Sequence, residues 1–374
     1  MTHHNIIWVF RKVMNIVVIG GGLFGCCVAI ELAKSGHEVD LIEEQGDIMT
    51  QASRVNHNRI HLGYHYIRSI ETAEQSIEGL LSFMFNFGNA VKCQFSNYYA
   101  IAKHNSKTSP EKFLEFCDNV GISYNEGYPD NEFLDPTKLE ACYRVPEPVF
   151  DYSQLKKMVG DYLSKTKVNL QLNTICSNIK KQPNGTFLVK TTRAEKVYDV
   201  VINASYVNFN TINEWLGILP KSLLYEHVVI PTFKYKTDTL GLTVMDGEFC
   251  SVMPKGMNDN EFLLYHVKHS VLESELVNKR PEFNKIAKDY ENEIYENSAL
   301  FMPFLKNVER QGFSEITRVV HKNTDDARLT ELYTFDEHKN YFAVLSGKIT
   351  TCYQVAIEIK HILQDKITVK RFKI

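Results

Sequence analysis

The glycines of one short segment, Gly20–Gly25, are the residues of this sequence that most clearly suggest chemistry. Gly20, Gly22 and Gly25 have the GxGxxG spacing of a dinucleotide-binding turn. In such a turn the first glycine permits a tight bend, the second lets the backbone approach a pyrophosphate, and the third lets a helix pack closely on the sheet. The N–H groups and the positive dipole end of that helix would face the phosphates. A glycine turn of some other α/β protein is the alternative interpretation.

The elements around this turn have the order that dinucleotide binding requires. Asn15–Ile19 is typical of a buried strand, Leu23–Lys34 has helical spacing, and Glu38–Ile42 is typical of a second strand. Together they predict a βαβ unit with a right-handed crossover. Glu43 follows the second strand, eighteen residues after Gly25, where it would accept a hydrogen bond from a ribose hydroxyl. This motif alone does not separate NAD from FAD.

A second group of reactive side chains lies in Val55–Arg68, which lacks periodicity and is predicted to be an ordered loop. Of its three histidines, His61 is the first candidate for a catalytic base or a cofactor contact, and His57 and His65 are weaker candidates. Hydrogen bonding within the loop is the alternative for each of them. The four-residue spacings His57/His61 and His61/His65 would suit a metal, but the loop has no carboxylate and we expect no metal site.

Several of these segments resemble a known family when they are taken together. Gly20–Gly25, Leu41-Ile42-Glu43-Glu44 and Ala52-Ser53 look like the opening of the D-amino-acid oxidase/glycerol-3-phosphate dehydrogenase superfamily of flavoproteins. Asn56, Ile60-His61 and Gly63 have the spacing found in its L-2-hydroxyglutarate oxidase branch. The resemblance implies that FAD is the cofactor and that the loop runs beneath the flavin.

Two later segments extend this resemblance to the middle and the end of the chain. Val200–Ser205 is similar to the family's second cofactor motif, although Ser205-Tyr206 replaces the usual Ala-Gly. Leu345–Thr351 is similar to the family's Gly-Gly-Lys-Leu-Thr-Thr segment, which lies against the flavin. Lys348 and the helix dipole there could stabilise negative charge on reduced flavin. A helix capped by Thr350 or Thr351, with an exposed lysine, is the alternative.

The resemblance and the residue types together give the following candidates. The cofactor-binding residues are expected to be Gly20, Gly22, Leu23, Phe24, Gly25, Glu43, Glu44, Ser53, Arg54, Asn58, Arg59, His61, Ala204, Ser205, Gly347, Lys348, Ile349 and Thr350. His61 and Arg318 are the catalytic candidates, because Arg318 lies roughly where the family keeps an arginine near the substrate. Arg59 and Arg68 are further candidates for an anionic substrate, and surface or structural roles are the alternative for all three arginines. Covalent attachment of the flavin would fall to His61, His57 or Cys352.

The predicted fold class is α/β, with a discontinuous Rossmann-like FAD-binding domain and an inserted α+β substrate domain built on an antiparallel sheet. The FAD-binding domain is expected at residues 14–90, 148–212 and 313–374, and the substrate domain at 91–147 and 213–312. Residues 1–13 are predicted to be a flexible extension, with Met14 as a second candidate for the natural start. Pro110–Val120 and Tyr152–Ser164 are predicted to be helices, Tyr341–Leu345 a buried strand, and Pro281–Leu300 a charged, exposed helix.

Composition restricts the remaining choices. The net charge is −3 and no block of like charges occurs, so neither nucleic acid nor an anionic membrane is an expected partner. No apolar run reaches the ~18 residues of a membrane span. The eight cysteines are dispersed without a CxxC pair, which is typical of reduced thiols and favours a cytoplasmic location.

These observations predict an FAD-dependent oxidoreductase that removes a hydride from a CH–OH carbon of a small substrate, anionic or sugar-derived. An amine or amino-acid substrate, a non-redox flavin-dependent sugar mutase and a catalytically idle binding module are the alternatives. The flavin would carry out the redox step, while the protein orients the substrate and handles its proton. The identity of the substrate, the electron acceptor and the oligomeric state remain open at this point.

Overall fold

The computed structural model describes residues 13–258, 260–322 and 327–364, so the predicted extension at residues 1–13 lies outside the described residues except for Val13. The helices are α1 (Leu23–Lys34), α2 (Ile70–Phe87), α3 (Pro110–Val120), α4 (Tyr152–Ser164), α5 (Phe209–Glu214), α6 (Glu291–Ser298) and α7 (Cys352–Gln364). The first ten strands are β1 (Asn15–Ile19), β2 (Glu38–Ile42), β3 (Val91–Lys92), β4 (Ser96–Ala102), β5 (Asn125–Glu126), β6 (Leu139–Val145), β7 (Val149–Phe150), β8 (Val168–Gln171), β9 (Cys176–Lys181) and β10 (Phe187–Thr191). The remaining strands are β11 (Glu195–Tyr198), β12 (Val200–Asn203), β13 (Leu223–Lys234), β14 (Leu240–Met245), β15 (Cys250–Pro254), β16 (Glu261–His266), β17 (Val271–Val277), β18 (Glu309–His321), β19 (Glu331–Thr334) and β20 (Tyr341–Leu345).

A six-stranded sheet gathers strands from the beginning, middle and end of the chain in the order β19-β20-β12-β1-β2-β8. Its pairs are parallel except for β19 with β20. The connection from β1 leads through α1 to β2, whereas β12 lies on the opposite side of β1. The strand order therefore reverses beside β1, and the carboxyl ends of β1 and β12 border the kind of crevice in which α/β sheets bind ligands.

Both faces of this sheet are covered, which explains why its strands are nearly continuous apolar runs. On one face Ile16, Val18 and Phe342 pack with helices α1, α4 and α7. On the other face Val17 and Tyr341 pack with residues of a three-stranded sheet, β11-β10-β9. These two layers fix the position of the glycine turn at the carboxyl end of β1.

A nine-stranded sheet forms the second layer system, in the order β17-β13-β16-β15-β14-β4-β6-β5, with β18 also paired with β13. All of its pairs are antiparallel except β14 with β4. The mixed α/β class with a second, largely antiparallel sheet is thus confirmed. The expected domain division sets a boundary between residues 312 and 313, which falls inside β18, and the pairing assigns that whole strand to the large sheet.

The predicted helix at Pro281–Leu300 is mostly wrong. Only Glu291–Ser298 forms an α-helix, after a single 3-10 turn at Ala287–Asp289. The carboxylate of Glu273 accepts hydrogen bonds from the backbone N–H groups of Asn284 and Lys285, at 2.9 and 2.8 Å. These bonds hold the segment against the large sheet in a non-helical path, a tertiary effect that local helical spacing does not reveal.

Within the described ranges, no helix combines the length and apolar character that crossing a bilayer requires.

Candidate active site

The glycine turn brings the ends of two strands into direct backbone contact. Gly20 has φ +108°, and a Cβ atom placed on it would lie 2.5 Å from the carbonyl oxygen of Ala204, which follows β12. A Cβ on Gly25 would lie 1.9 Å from the carbonyl oxygen of Gly20. Both positions therefore exclude every larger residue. The expected roles of a tight turn and of close helix packing agree with this geometry.

The carboxylate of Glu43 is hydrogen-bonded to the backbone of the glycine turn. Its Oε2 accepts a hydrogen bond from the N–H of Gly21 at 2.6 Å, and its Oε1 accepts one from the N–H of Gln45 at 2.8 Å. Burial raises the pKa of this carboxyl, an effect that the two backbone N–H donors oppose. A carboxylate can accept about four hydrogen bonds, so Glu43 retains capacity for a ligand hydroxyl.

The first turn of helix α1 presents backbone N–H groups to the same space. Gly22 occupies the N-cap position and provides no side-chain cap. Ser53, from the following loop, accepts a hydrogen bond from the N–H of Leu23 at 3.0 Å. One of the N–H groups that lack a partner within the helix is therefore paired with the Ser53 hydroxyl. The helix dipole still favours an anion at this position.

A cavity of about 320 Å³ opens above this turn and is called here the dinucleotide cavity. The predicted cofactor residues that line it are Gly20, Gly22, Leu23, Phe24, Glu43, Glu44, Ser53, Ala204 and Ser205. Its lining also includes Trp215 and Arg280, neither of which the sequence singled out. Arg280 follows β17 of the large sheet, so both layer systems contribute to this cavity.

A second cavity of about 410 Å³, called here the reaction cavity, continues from the first. The two cavities share six lining residues, which are Leu23, Ala52, Ser53, Tyr206, Ile316 and Ser346. The predicted residues that line the reaction cavity are His57, Arg59, His61, His65, Arg318, Gly347, Lys348 and Ile349. The sequence missed Tyr66, Glu226 and Arg328, and Tyr265 also lines this cavity. One elongated space thus joins the glycine turn to the histidine-rich loop.

The C-terminal Gly-Lys motif is held in this space by one threonine. Thr330 Oγ1 accepts hydrogen bonds from the N–H groups of Gly347 and Lys348, at 2.8 and 3.1 Å, and lies 2.7 Å from Thr351 Oγ1. A Cβ on Gly347 would lie 2.1 Å from the carbonyl oxygen of Arg328. This close packing explains the glycine and fixes the neighbouring lysine.

Lys348 is a buried lysine, with 6% of its surface exposed. Its Nζ lies 3.8 Å from the centre of the Tyr66 ring. Burial, and then the charge of Arg59, hold the pKa of Lys348 well below its usual range. This burial makes the alternative of an exposed lysine wrong. Within the described part of the chain no carboxylate forms an ion pair with Lys348, so an anionic group in the adjacent cavity would stabilise its protonated form.

His61 lies beside the same tyrosine, with 19% of its side chain exposed. Its ring packs edge-on against Tyr66, with 5.2 Å between ring centres. Burial, followed by the positive charges of Lys348 and Arg59, holds the pKa of His61 well below its usual range. The imidazole is therefore neutral near pH 7 and able to accept a proton.

His57 and Arg59 are tied into the protein rather than directed at a ligand. His57 Nε2 lies 3.0 Å from the carbonyl oxygen of Leu263. Arg59 donates to the hydroxyl of Tyr99 at 2.7 Å and to the hydroxyl of Thr243 at 2.6 Å. Arg59 also donates to His57 Nδ1 at 3.4 Å, so its Nε and both terminal nitrogens have protein partners. Both residues support the loop, which favours the structural alternatives given for them.

Arg318 keeps donors on the cavity side. Its Nε donates to Glu226, its Nη2 donates to the Tyr265 hydroxyl at 2.8 Å, and its guanidinium lies 5.5 Å from the Tyr265 ring centre. A guanidinium has five N–H donors, so several are left for a ligand. Arg68, by contrast, pairs with Asp246 at 2.9 Å and does not line the cavity.

Four predicted cofactor residues do not line either cavity, and they are Gly25, Arg54, Asn58 and Thr350. Gly25 acts through packing, and Arg54 is exposed. Asn58 is buried at φ +53° and donates to the carbonyl oxygen of Lys255 at 2.7 Å. The covalent candidate Cys352 is fully buried away from both cavities. No group of three or more potential metal ligands occurs among the described residues.

Comparison with known proteins agrees with this geometry. The family described as FAD dependent oxidoreductase (DAO) matches residues 15–331. The FAD-dependent monooxygenase kojA of Aspergillus flavus is 26% identical over 94% of this chain and 86% of that protein. The FAD-dependent monooxygenase FPY4 of Fusarium mangiferae is 26% identical over 68% of this chain, and the match spans 64% of its own length. The structure of L-alpha-glycerophosphate oxidase from Mycoplasma pneumoniae with FAD bound has a TM-score of 0.76 and 17% identity over 97% of both chains, which shows a shared fold.

Proposed function

Because the chain belongs to the DAO family of FAD-dependent oxidoreductases, we propose that it removes a hydride from a CH–OH carbon of a small anionic substrate. The protein is an FAD-dependent enzyme, and bound FAD supplies the hydride acceptor. The substrate, the residue roles and the resemblance to the L-2-hydroxyglutarate oxidase branch belong to the proposal.

The dinucleotide cavity fits the ADP half of FAD. The pyrophosphate would lie against the glycine turn and the first turn of α1, where a side chain on Gly20 could not be accommodated. Glu43 would accept a ribose hydroxyl, and Ala204 and Ser205 would border the phosphates from β12. The flavin would extend past Ser53 into the reaction cavity, between the loop and the Gly347-Lys348 motif.

The positively charged residues that line the reaction cavity are the observation that supports an anionic substrate. Arg318, Arg328 and Lys348 all line it, whereas Glu226 is the one carboxylate among the described lining residues and is already paired with Arg318. An excess of buried positive charge is costly unless an anion binds there. A carboxylate or phosphate next to the reacting carbon would supply that charge, and arginine suits it through two parallel hydrogen bonds.

His61 is the proposed base. It lines the cavity, and its lowered pKa leaves it unprotonated at neutral pH. An alcohol substrate must lose its hydroxyl proton when the hydride leaves, and a neutral histidine within reach can accept it. Arg318 would orient the substrate through its free donors.

The names of two relatives favour a second candidate, an FAD-dependent monooxygenase, because kojA and FPY4 both carry that description. Such an enzyme would insert an oxygen atom from O₂ into its substrate. The two candidates differ in whether substrate alone reduces the flavin in the absence of air.

The decisive experiment follows flavin absorbance under anaerobic conditions. L-2-hydroxyglutarate and glycerol 3-phosphate are the anionic alcohols, glycerol is the neutral matched control, and glycine is the amine control. Bleaching by an anionic alcohol but not by glycerol supports the proposal. Bleaching only by glycine favours the amine alternative. Bleaching by NAD(P)H but by no substrate alone, followed by substrate hydroxylation when air is admitted, favours the monooxygenase. Admitting air afterwards shows whether oxygen is the electron acceptor.

A cytoplasmic location and the division into two domains complete the proposal. All eight cysteines are free, which is consistent with a reducing environment. Comparing the protein's distribution after cell fractionation with that of a cytoplasmic marker would test the location.

A further inference from the structure

Glu147 is a fully buried carboxylate that the sequence did not single out. It lies between Pro146 and Pro148, after strand β6, and none of its side chain is exposed. Removing a carboxylate from water costs several kcal/mol, on the order of the whole stability of a domain, unless partners compensate. We therefore expect this carboxylate to have compensating partners and a role in the site.

Each oxygen of this carboxylate has defined neighbours. Oε1 accepts a hydrogen bond from the Tyr99 hydroxyl at 2.6 Å and lies 3.5 Å from Arg59 Nη1. Oε2 accepts one from the backbone N–H of Leu62 at 3.0 Å and lies 3.9 Å from Nδ1 of His61. Burial raises the pKa of Glu147, and Arg59 and Tyr99 oppose that rise. Both oxygens thus accept a hydrogen bond from the protein, and Oε2 also faces the proposed base.

Backbone hydrogen bonds fix His61 relative to this carboxylate from both sides. The N–H of Ile60, just before the histidine, donates to the carbonyl oxygen of Pro148 at 3.0 Å. The N–H of Leu62, just after it, donates to Glu147 itself. The separation between the ring and the carboxylate is therefore set by the chain on either side of the ring.

Of the two ring nitrogens of His61, Nδ1 faces Glu147. Nδ1 of His61 is buried and has no hydrogen-bond partner among the described residues. Glu147 Oε2 is the acceptor that faces it, about 1 Å beyond the usual hydrogen-bond distance. Catalytic hydrogen bonds are often long before the substrate binds and shorten afterwards. Nε2 is then the nitrogen available to a molecule in the reaction cavity.

We propose that Glu147 is a positioning residue that holds the His61 proton on Nδ1, so that Nε2 accepts the hydroxyl proton of the substrate. This inference rests on the proposed function. In the step, the O–H proton passes to Nε2, the hydride leaves the carbon for the bound flavin, and a C=O bond replaces C–OH. His61 becomes an imidazolium, and its new charge faces the carboxylate.

The charges around His61 show why a carboxylate is needed there. Lys348, Arg59, His65 and Arg328 all act on the ring from the loop and from the C-terminal segments, and each opposes its protonation. Among the described residues, Glu147 is the acid within ion-pair distance of the ring. Without it, the imidazolium formed in the reaction would lie among cations alone.

The first test replaces Glu147 with glutamine, which keeps the volume and removes the charge. We expect flavin reduction by the active alcohol to slow by about 10- to 100-fold, as for other residues that orient a functional histidine. KM should change by less than about threefold, since Glu147 does not touch the substrate. Loss of a nearby carboxylate lowers the pKa of a histidine, so the acidic limb of the pH profile should move to lower pH. The matched control is Glu195→Gln, which removes an exposed carboxylate paired with Lys190.

A double variant separates positioning from other effects. If Glu147 acts through His61, adding Glu147→Gln to His61→Asn should leave the already slow reduction rate unchanged. A further 10-fold loss in the double variant would overturn the proposal, as would a normal rate and pH profile for Glu147→Gln alone.

A measurement on the unmodified holoenzyme covers the case in which Glu147→Gln does not fold. ¹⁵N NMR shifts of the histidine rings, with His61 assigned by its loss in His61→Asn, report which nitrogen carries the proton. We expect the proton on Nδ1, and a proton on Nε2 would overturn the proposal. This readout needs no substrate, so it stays valid if no alcohol reduces the flavin and the proposed function fails.

Discussion

The two cavities are adjacent and of similar size, but they are built from different parts of the chain. The dinucleotide cavity is centred on backbone, where a glycine turn, a helix start and the end of β12 come close together, and side chains such as Trp215 and Arg280 complete its lining. The reaction cavity is made of long side chains from the loop, the large sheet and the C-terminal motif. The first depends on the absence of side chains, and the second depends on their charge.

This difference predicts how each cavity responds to mutation. A backbone-built site binds through N–H groups and dipoles that only a substitution to proline removes, so other substitutions damage it mainly by steric clash. A side-chain-built site tolerates changes of volume better than changes of charge, because its cations and His61 lie in a buried, mutually coupled set.

Gly25→Ala should have the largest effect. Its Cβ would lie 1.9 Å from the Gly20 carbonyl oxygen, so the turn must open. We expect the variant to be isolated without flavin, with a stability loss of about 1–3 kcal/mol or more from overpacking. Absorbance at the flavin bands and thermal unfolding would measure both.

The control is Gly160→Ala in helix α4, where an added Cβ meets nothing within 4 Å. It should keep its flavin and gain up to about 1 kcal/mol from helix propensity. Normal flavin content in Gly25→Ala would show that the first cavity is not limited by backbone contact.

His61→Asn tests the second cavity through its chemistry. We expect flavin content to stay normal while anaerobic reduction by the substrate falls by about 10²- to 10⁴-fold, the usual contribution of a general base. Stopped-flow absorbance gives the rate. A reduction rate within twofold of the unmodified enzyme would remove His61 from the proposed mechanism.

Lys348→Met tests the same cavity through its charge. Methionine preserves the buried chain length but removes the ammonium that lies over Tyr66. The affinity for an anionic substrate should fall by about 10- to 100-fold, corresponding to a charged hydrogen bond of ~1.5–3 kcal/mol. Steady-state KM and flavin binding measure the effect. Lys190→Met, at an exposed ion pair, is the control and should leave both unchanged.

Ser53→Ala should have the smallest effect, because it removes one side-chain bond from an otherwise backbone-built site. Its hydroxyl accepts from the N–H of Leu23 at the start of α1. Loss of such a cap costs about 1 kcal/mol, which lowers Tm by ~2 °C in a protein of this size. Thermal unfolding of the apoprotein, with Ser164→Ala as control, would show it. A loss of all flavin from Ser53→Ala would contradict the comparison.

The elements with strong local signals were predicted closely. The bounds of α3, α4 and β20 coincide with the predicted Pro110–Val120, Tyr152–Ser164 and Tyr341–Leu345. Ser109 caps the start of α3, Asp151 caps the start of α4, and Gly121 ends α3 in the left-handed region. These helix boundaries are set by residues next to them in the sequence, which is why the sequence predicts them. The prediction for Pro281–Leu300 was mostly wrong because Glu273, a residue of β17, accepts a hydrogen bond from the backbone of this segment.

The sequence by itself determined the dinucleotide turn, since Gly20–Gly25 and Glu43 form one βαβ unit whose requirements are local and steric. It also determined the cofactor class, through motifs spread over the chain. Only the tertiary structure decided which polar residues meet in the reaction cavity or directly behind it. Glu147, Glu226 and Arg328 come from separate segments, and Arg59 is turned inward to Tyr99 and Thr243. The pKa values and ion pairs of a buried site depend on the distances between charged groups of such segments. Those distances cannot be read from the number of residues that separate the segments in the sequence.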